Sequence, residues 1–330
     1  MIRSFYTGLI RQAGAGSKRK GVYIRAAVSL AIIAGLVWWL SGDALLQAIA
    51  AIQPLTWLLV VSGFILGHLL SAFKWRLLLG AVGVRLAGLD AVRAHGAGVF
   101  ANLCLPSVVG GDVIRAALVM RSHQRYEQVA LGSLADRVND TFALMLMAAV
   151  AALLVPAGAE LATGWVLGVI ALLLTGVIVT LLAVIMWLPL ARLPEKVAKI
   201  TLRLREALSS LRAAPGVALL AFVLSLCIQS FFVTLNMLLA RDIGIETSAA
   251  VWFFAWPLAK LVALAPVSLG GIGVREVAIA GLMVPFGLDA GLVVAQSLSW
   301  EAVLIASGLF AGLMVAMLPM AGSAGRGAGT

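Results

Sequence analysis

The sequence predicts an all-α polytopic membrane protein, an inverted repeat of transmembrane helices with two broken helical hairpins read as re-entrant. Three observations carry this. The 330 residues are 62% hydrophobic and only 12% charged, about half the ~25% charged fraction of soluble domains. Two stretches, "LCLPSVVGGDVIRAALV" (Leu103–Val119) and "LAPVSLGGIGVREVAIA" (Leu264–Ala280), place a proline, paired glycines and an arginine at the same offsets. Basic residues collect in alternate segments between the apolar runs.

The amino terminus, residues 1–21, carries Arg3, Arg11, Lys18, Arg19 and Lys20. It reads as a basic cytoplasmic tail before a first span, Val22–Leu40, whose end "VWWLSGD" is a poor cleavage site for a signal peptide. A span needs about 20 apolar residues. Pro54–Phe73, Val138–Val155, Gly164–Leu188, Gly216–Ala240 and Ala290–Leu318 meet that need. Two more apolar regions, Ala87–Met120 around Pro106 and Ala249–Val284 around Pro266, are too long for one span and interrupted in the middle.

Lysine and arginine bias sets orientation. The basic tail, the segment after the second span, Arg121 with Arg125, and the stretch Ala191–Ala213 all share one side if both termini are cytoplasmic and each broken region returns to the side it entered. Six spans and two hairpins satisfy this; ten full spans keep the same parity, so charge alone leaves both open. Residues 22–156 then form the first membrane repeat and 157–320 the second, with a flexible tail at 321–330. Within the second, 191–213 reads as an amphipathic linker helix, with Val197, Ile200, Leu204, Leu208 and Leu211 at helical spacing among basic residues, suited to an anionic leaflet.

Pro106 precedes Gly110, Gly111 and Arg115 just as Pro266 precedes Gly270, Gly271 and Arg275, 160 residues on. Proline removes a backbone donor and glycine permits unusual backbone and close approach, so each element can end one half-helix and begin another. A half-helix start offers free N–H groups to an anion, and arginine adds a fork of donors suited to phosphate. Glycine pairs also serve plain helix packing. The charges weigh toward function, because an Arg or Asp at the bilayer centre costs about 2.5–3.5 kcal/mol on insertion. Candidate binding residues are therefore Arg115 with Asp112, Arg275 with Glu276, then Asp136, Arg137, Lys260 and Glu301, with Asn102 and Gly273 beside the two elements. Asp136, Arg137, Asn139 and Asp140 open the third predicted span, facing Arg115 or capping the helix. Glu301 pairs with Arg275 or Lys260. His68, Lys74 and Arg76 read as anchors at the end of the second span.

Cys104 and Cys227 read as small core residues; with three separated histidines and no CxxC or HExxH, no metal site or cofactor is expected. The net charge of +10 is a topology signal rather than a nucleic-acid footprint.

At "FANLCLPSVVGGDVIRAALVMR", "LADRVNDTFAL" and "PVSLGGIGVREVAIAGL" the chain resembles the transmembrane region of lysylphosphatidylglycerol synthases and its stand-alone, flippase-like relatives, over roughly Ala26–Ala316. The resemblance implies a bacterial inner-membrane protein that moves a lipid with an anionic or modified headgroup between leaflets. A separately encoded lipid-modifying enzyme would be its partner. The chain ends at "AGSAGRGAGT", so the aminoacyl-transferase domain of bifunctional members is not expected. Without a Walker A loop, ATP is not the direct drive. An integral-membrane transferase or hydrolase acting on a lipid or polyprenyl phosphate, and a non-catalytic scaffold, are the alternatives.

Overall fold

The computed structural model describes residues 42–105, 110–155, 213–264 and 272–317, with scattered residues between 198 and 209. Pro106, Pro266, Gly270, Gly271, the predicted spans Val22–Leu40 and Gly164–Leu188, most of the linker helix, and both tails lie outside them. Every element among the described residues is helical.

A short helix, α1 (Gly42–Ala50), precedes the long α2 (Pro54–Ala81). The first interrupted region forms α3 (Gly88–Cys104) and α4 (Gly110–His123), followed by the long α5 (Tyr126–Leu154). The same series returns as α6 (Pro215–Asp242), α7 (Ala249–Val262), α8 (Val274–Met283) and α9 (Ala290–Met317), with a 3-10 turn at Val284–Phe286 before α9. α2, α5, α6 and α9 are long and apolar enough to cross a membrane. At 1.5 Å per residue, 28 residues span about 42 Å, the full bilayer with its headgroup regions. α4, α7 and α8 have 14, 14 and 10 residues, which gives about 15–21 Å, short of the ~30 Å hydrocarbon core.

The correspondence between halves reaches local chemistry. α2 and α6 each have 28 residues and open on proline, Pro54 and Pro215, 161 positions apart. Proline is suited to that first position, where its missing N–H had no partner to lose. Each helix ends at a glycine in the left-handed region, Gly83 (φ 84°) and Gly244 (φ 86°), again 161 apart. There the chain folds back, so that Val84 N donates to Leu79 O at 2.8 Å and Ile245 N to Ala240 O at 2.9 Å. A side chain in that conformation is strained, so glycine sets both turns. Extended residues then lead to α3 and α7, whose starts, Gly88 and Ala249, keep the 161-residue offset.

α2 and α6 pack along their lengths and run antiparallel. Gln53 N donates to Asp242 Oδ2 at 2.9 Å at one end, the Phe64 and Phe232 rings lie 5.1 Å apart in the middle, and Lys74 meets Ser225 at the other end. Contacts exchange between halves as well: α3 packs on α9, and α7 on α5. An aromatic group fills the centre, with Phe64 edge-on to Trp300 at 5.2 Å and Trp256 edge-on to Trp300 at 5.4 Å, offsets favoured by the ring quadrupoles.

Two expectations change. The third predicted span, opening at Val138, is the end of a helix that starts at Tyr126, so Asp136 and Asp140 lie three to four turns inside it and cap nothing. The helix runs through these charges because partners on other helices neutralise them. Cys227 is exposed on α6 rather than in the core, since the exposed face of a membrane helix is apolar too.

α3 and α4 cross where Gly98 and Gly111 meet backbone to backbone; a Cβ on Gly98 would stand 2.7 Å from Gly111 O. Asn102 Oδ1 accepts from Gly111 N at 2.8 Å and supplies a bond that the start of α4 needs. Gly111→Ala therefore lowers the thermal stability of the detergent-solubilised protein by about 1–3 kcal/mol, the usual cost of overpacking. Gly281→Ala, at a position with nothing within 4 Å, leaves it unchanged or raises it by about 0.4–1 kcal/mol.

Candidate functional site

Two ion-pair clusters lie inside the bundle, one in each half. In the first, Asp136 on α5 is shared: Oδ1 lies 3.1 Å from Lys74 Nζ on α2, and Oδ2 accepts from Arg115 Nη2 on α4 at 2.7 Å. Lys74 also pairs with Asp140, one turn along α5, and donates to Ser225 Oγ on α6 at 2.9 Å. Arg115 contacts Asp112 Oδ1 at 3.1 Å, and Asp112 Oδ2 meets Arg137 Nη2 at 2.5 Å. Three cations (Lys74, Arg115, Arg137) thus face three carboxylates (Asp112, Asp136, Asp140). The guanidinium of Arg115 lies over the Trp75 ring, 4.8 Å from its centroid, and the Trp75 Nε1–H donates to Ser133 Oγ at 3.1 Å.

Exposure is graded across this cluster. The side chains of Lys74, Asp136 and Arg115 are 0%, 3% and 5% exposed, whereas those of Asp140, Asp112 and Arg137 reach 24%, 25% and 32%. The first three form a floor and the others a mouth.

The second cluster centres on Arg275, at the start of α8. Its Nη2 lies 2.8 Å from Glu276 Oε1 and 2.8 Å from Glu301 Oε1 on α9. Ser297 Oγ donates to Glu276 Oε1 at 3.1 Å, and Glu276 Oε2 accepts from Gly273 N at 2.6 Å. Gly273 takes φ 86°, which only glycine adopts freely, so the backbone can turn its N–H onto the carboxylate that caps α8. Trp256 stacks on Arg275 as Trp75 does on Arg115, 5.5 Å from ring centroid to guanidinium.

Lys260, on α7, differs from the other interior cations. Its Nζ donates to the Gln229 amide oxygen at 2.8 Å and lies 5.6 Å from the Phe232 ring centroid, and no carboxylate among the described residues stands within ion-pair distance. It sits one turn beyond Pro257, which removes a helix hydrogen bond and frees the Phe253 carbonyl. Gln229 and Ser225 are one turn apart on α6, so Lys260 and Lys74 approach the same helix from opposite halves. Lys260 is also within electrostatic range of Asp140, Arg137, Lys74 and Arg275.

The two arginines share one more property. Among the described residues Arg115 Nε and Arg275 Nε, like Arg93 Nε, are buried without a hydrogen-bond partner. A buried donor left unmade costs about 1–3 kcal/mol, so each guanidinium has an N–H for which the described residues supply no acceptor.

The match to a known family covers this whole region: residues 26–312 fit the model for the lysylphosphatidylglycerol synthase TM region. The chain belongs to that family. It is a membrane domain of a kind associated with lipid modification and flipping. No curated protein matches it.

In this family member the structure joins Arg115, Asp112, Asp136 and Arg137 in one cluster and Arg275, Glu276, Glu301 and Gly273 in the other, with Lys260 between. Glu301 takes Arg275 and not Lys260. Asn102 and Gly111 belong to the α3–α4 crossing, beside Arg115, and Gly110 packs on Leu105. Lys74 and His68 are not interfacial anchors. Lys74 is fully buried in the ion cluster and His68 bonds to His95, because α2 continues two turns past Phe73 and carries them into the interior. Arg76 donates to Leu86 O at 2.6 Å, tying α2 to the following turn. The sequence reading missed Lys74, His95, Ser225 and Gln229. A signal for the first was present in "HLLSAFK", where His68, Ser71 and Lys74 recur every third position in an apolar helix.

Arg275→Met leaves Glu276 and Glu301 facing each other without their cation and lowers stability by about 3–5 kcal/mol. Adding Glu301→Gln removes the orphaned charge and restores most of the loss in thermal unfolding. A double variant no more stable than the single one refutes the pairing.

Proposed function

We propose that the chain is a translocase that moves a lipid with an anionic headgroup between the leaflets of the bacterial cytoplasmic membrane. The observation that carries this is the pair of buried Nε–H donors on Arg115 and Arg275, one in each half, that have no partner among the described residues and lie inside the ion clusters. Carboxylates neutralise and orient each guanidinium while one N–H stays available, which suits transient recognition of a phosphate oxygen better than permanent structural pairing.

The architecture supports the same reading. The corresponding helices α2 and α6 run antiparallel, and an interrupted region follows each of them. We read the halves 22–156 and 157–320 as inverted repeats whose broken regions enter from opposite sides as re-entrant hairpins, an arrangement that in transporters brings discontinuous helices to a midplane site with access from either face. Both termini then lie in the cytoplasm, as the basic loops require. In the cycle, Lys260 draws the headgroup into the polar interior, Arg115 and Arg275 take its phosphate oxygens in turn, and the acyl chains stay in the bilayer. Asp112, Asp136, Glu276 and Glu301 hold the arginines, and Arg137 gates the mouth of the first cluster. Facilitated passage or coupling to an ion gradient supplies the direction.

Liposomes containing the purified protein and headgroup-labelled phosphatidylglycerol, with a quencher of the outer leaflet, test the reading. The wild type accelerates exchange between leaflets. Lys260→Gln, which breaks no ion pair, keeps the folding transition and slows exchange about tenfold or more, the worth of one charged hydrogen bond. No acceleration for any anionic lipid, or unchanged rates in both Lys260→Gln and Arg115→Ala, overturns it.

A further inference from the structure

A small cleft, open to its surroundings, lies between α2, α3 and α9, beside the first ion cluster. Each helix contributes one stripe at the i, i+3, i+4, i+7 spacing of a single face: Ile65 to Ala72, Val92 to Val99 and Ser307 to Met314. Its walls are apolar, from Ile65, Leu69, Val92, Val99, Phe310 and Met314. Close packing of Gly96 against Met314 and of Gly308 against Leu103 holds α3 antiparallel to α9 and shapes it. The surrounding surface carries exposed Leu66, Leu70, Phe73, Leu309 and Leu313, the apolar exterior that meets acyl chains.

Three polar groups line this apolar cleft: His68, His95 and Ser307. Ser307 is 2% exposed and its hydroxyl has no hydrogen-bond partner among the described residues. The histidines belong to a chain with a fixed direction. Arg115 Nη1 lies 3.2 Å from His95 Nδ1, and His95 Nε2 lies 3.1 Å from His68 Nδ1. A guanidinium only donates, so His95 Nδ1 accepts and its proton is on Nε2. That proton is donated to His68 Nδ1, which leaves the His68 proton on Nε2. The chain therefore ends in an N–H on a cleft-lining residue, and the described residues supply it no acceptor.

We infer that this cleft seats one acyl chain of a membrane glycerolipid, with the ester carbonyl of that chain accepting from His68 Nε2–H and meeting the Ser307 hydroxyl. An ester carbonyl matches because it is an uncharged acceptor at the end of a long apolar chain. A carboxylate or phosphate would enter an otherwise apolar cleft unpaired. Through His95 the bound ester communicates with Arg115, so chain and headgroup recognition meet at one residue. The inference rests on the reading that the protein handles lipids, and it specifies the chain end of the substrate, where the proposed translocation concerns the head.

A phosphatidylglycerol carrying a diazirine midway along one ester-linked chain, photolysed with the protein in nanodiscs, tests it. The label is expected on the peptides bearing Phe310, Ala311 and Met314. Ala311→Trp, which fills the cleft, abolishes that labelling. His68→Phe, which keeps a ring and removes the donor, reduces it about fivefold, as does replacing the ester by an ether linkage. Labelling near the exposed Leu219 and Leu220 is unaffected by either variant. Uniform labelling around the bundle, or cleft labelling indifferent to Ala311→Trp and to the ester, overturns the inference. Labelling needs no transport: a protein that labels in the cleft but does not exchange lipid refutes the translocase reading and leaves this one standing, and the reverse result refutes this one alone.

Discussion

The structure depends on one carboxylate held by two cations. The Asp136 side chain is 3% exposed, with Lys74 on one oxygen and Arg115 on the other. A lone charge at that depth is prohibitive, and a paired one is tolerated only when its remaining hydrogen bonds are met. Meeting them brings three helices, α2, α4 and α5, to one point. Asp140 and Ser225 extend the tie along α5 and across to α6. The helix that carries Asp136 runs unbroken through four charged or polar residues for that reason, and the crossing of α3 with α4 must be glycine-lined for Arg115 to reach it.

The halves repeat in framework and diverge in charge. Prolines, turn glycines and arginines correspond, yet Asp112 lies three residues before Arg115 whereas Glu276 directly follows Arg275 and doubles as the cap of its helix. At the shared offset of 161, Lys74 corresponds to Leu235 and Lys260 to Val99. Each half thus places its lysine on a different helix, and both lysines converge on α6. The result is a first cluster balanced within itself and a second in which Arg275 faces two carboxylates, with Lys260 near by, bonded to Gln229 and without a carboxylate partner among the described residues.

Much of this was legible in the sequence. The apolar runs located the four long helices, and the proline and glycine signals located both interruptions, because mean hydropathy and backbone chemistry are local properties. Arg115, Arg275 and their adjacent acids stood out since a charge inside an apolar run has few innocent explanations. Lys74 did not, because seven residues from a helix end it has the position of an interfacial anchor, and only the packing of α5 and α6 makes it interior. Gln229 and Ser225 gave no signal: an uncharged polar residue in a membrane helix is inexpensive wherever it faces. The start of α5 was misplaced by twelve residues because hydropathy treats the charges that its neighbours neutralise as the end of a span.

A double-mutant cycle between Lys74→Met and Asp136→Asn, read as unfolding free energy in detergent, measures how far the two buried charges depend on each other. Each single variant is expected to lose about 3–5 kcal/mol by leaving a buried charge unpaired, and the double variant to lose well short of the sum. Losses that add within about 0.5 kcal/mol would contradict that dependence.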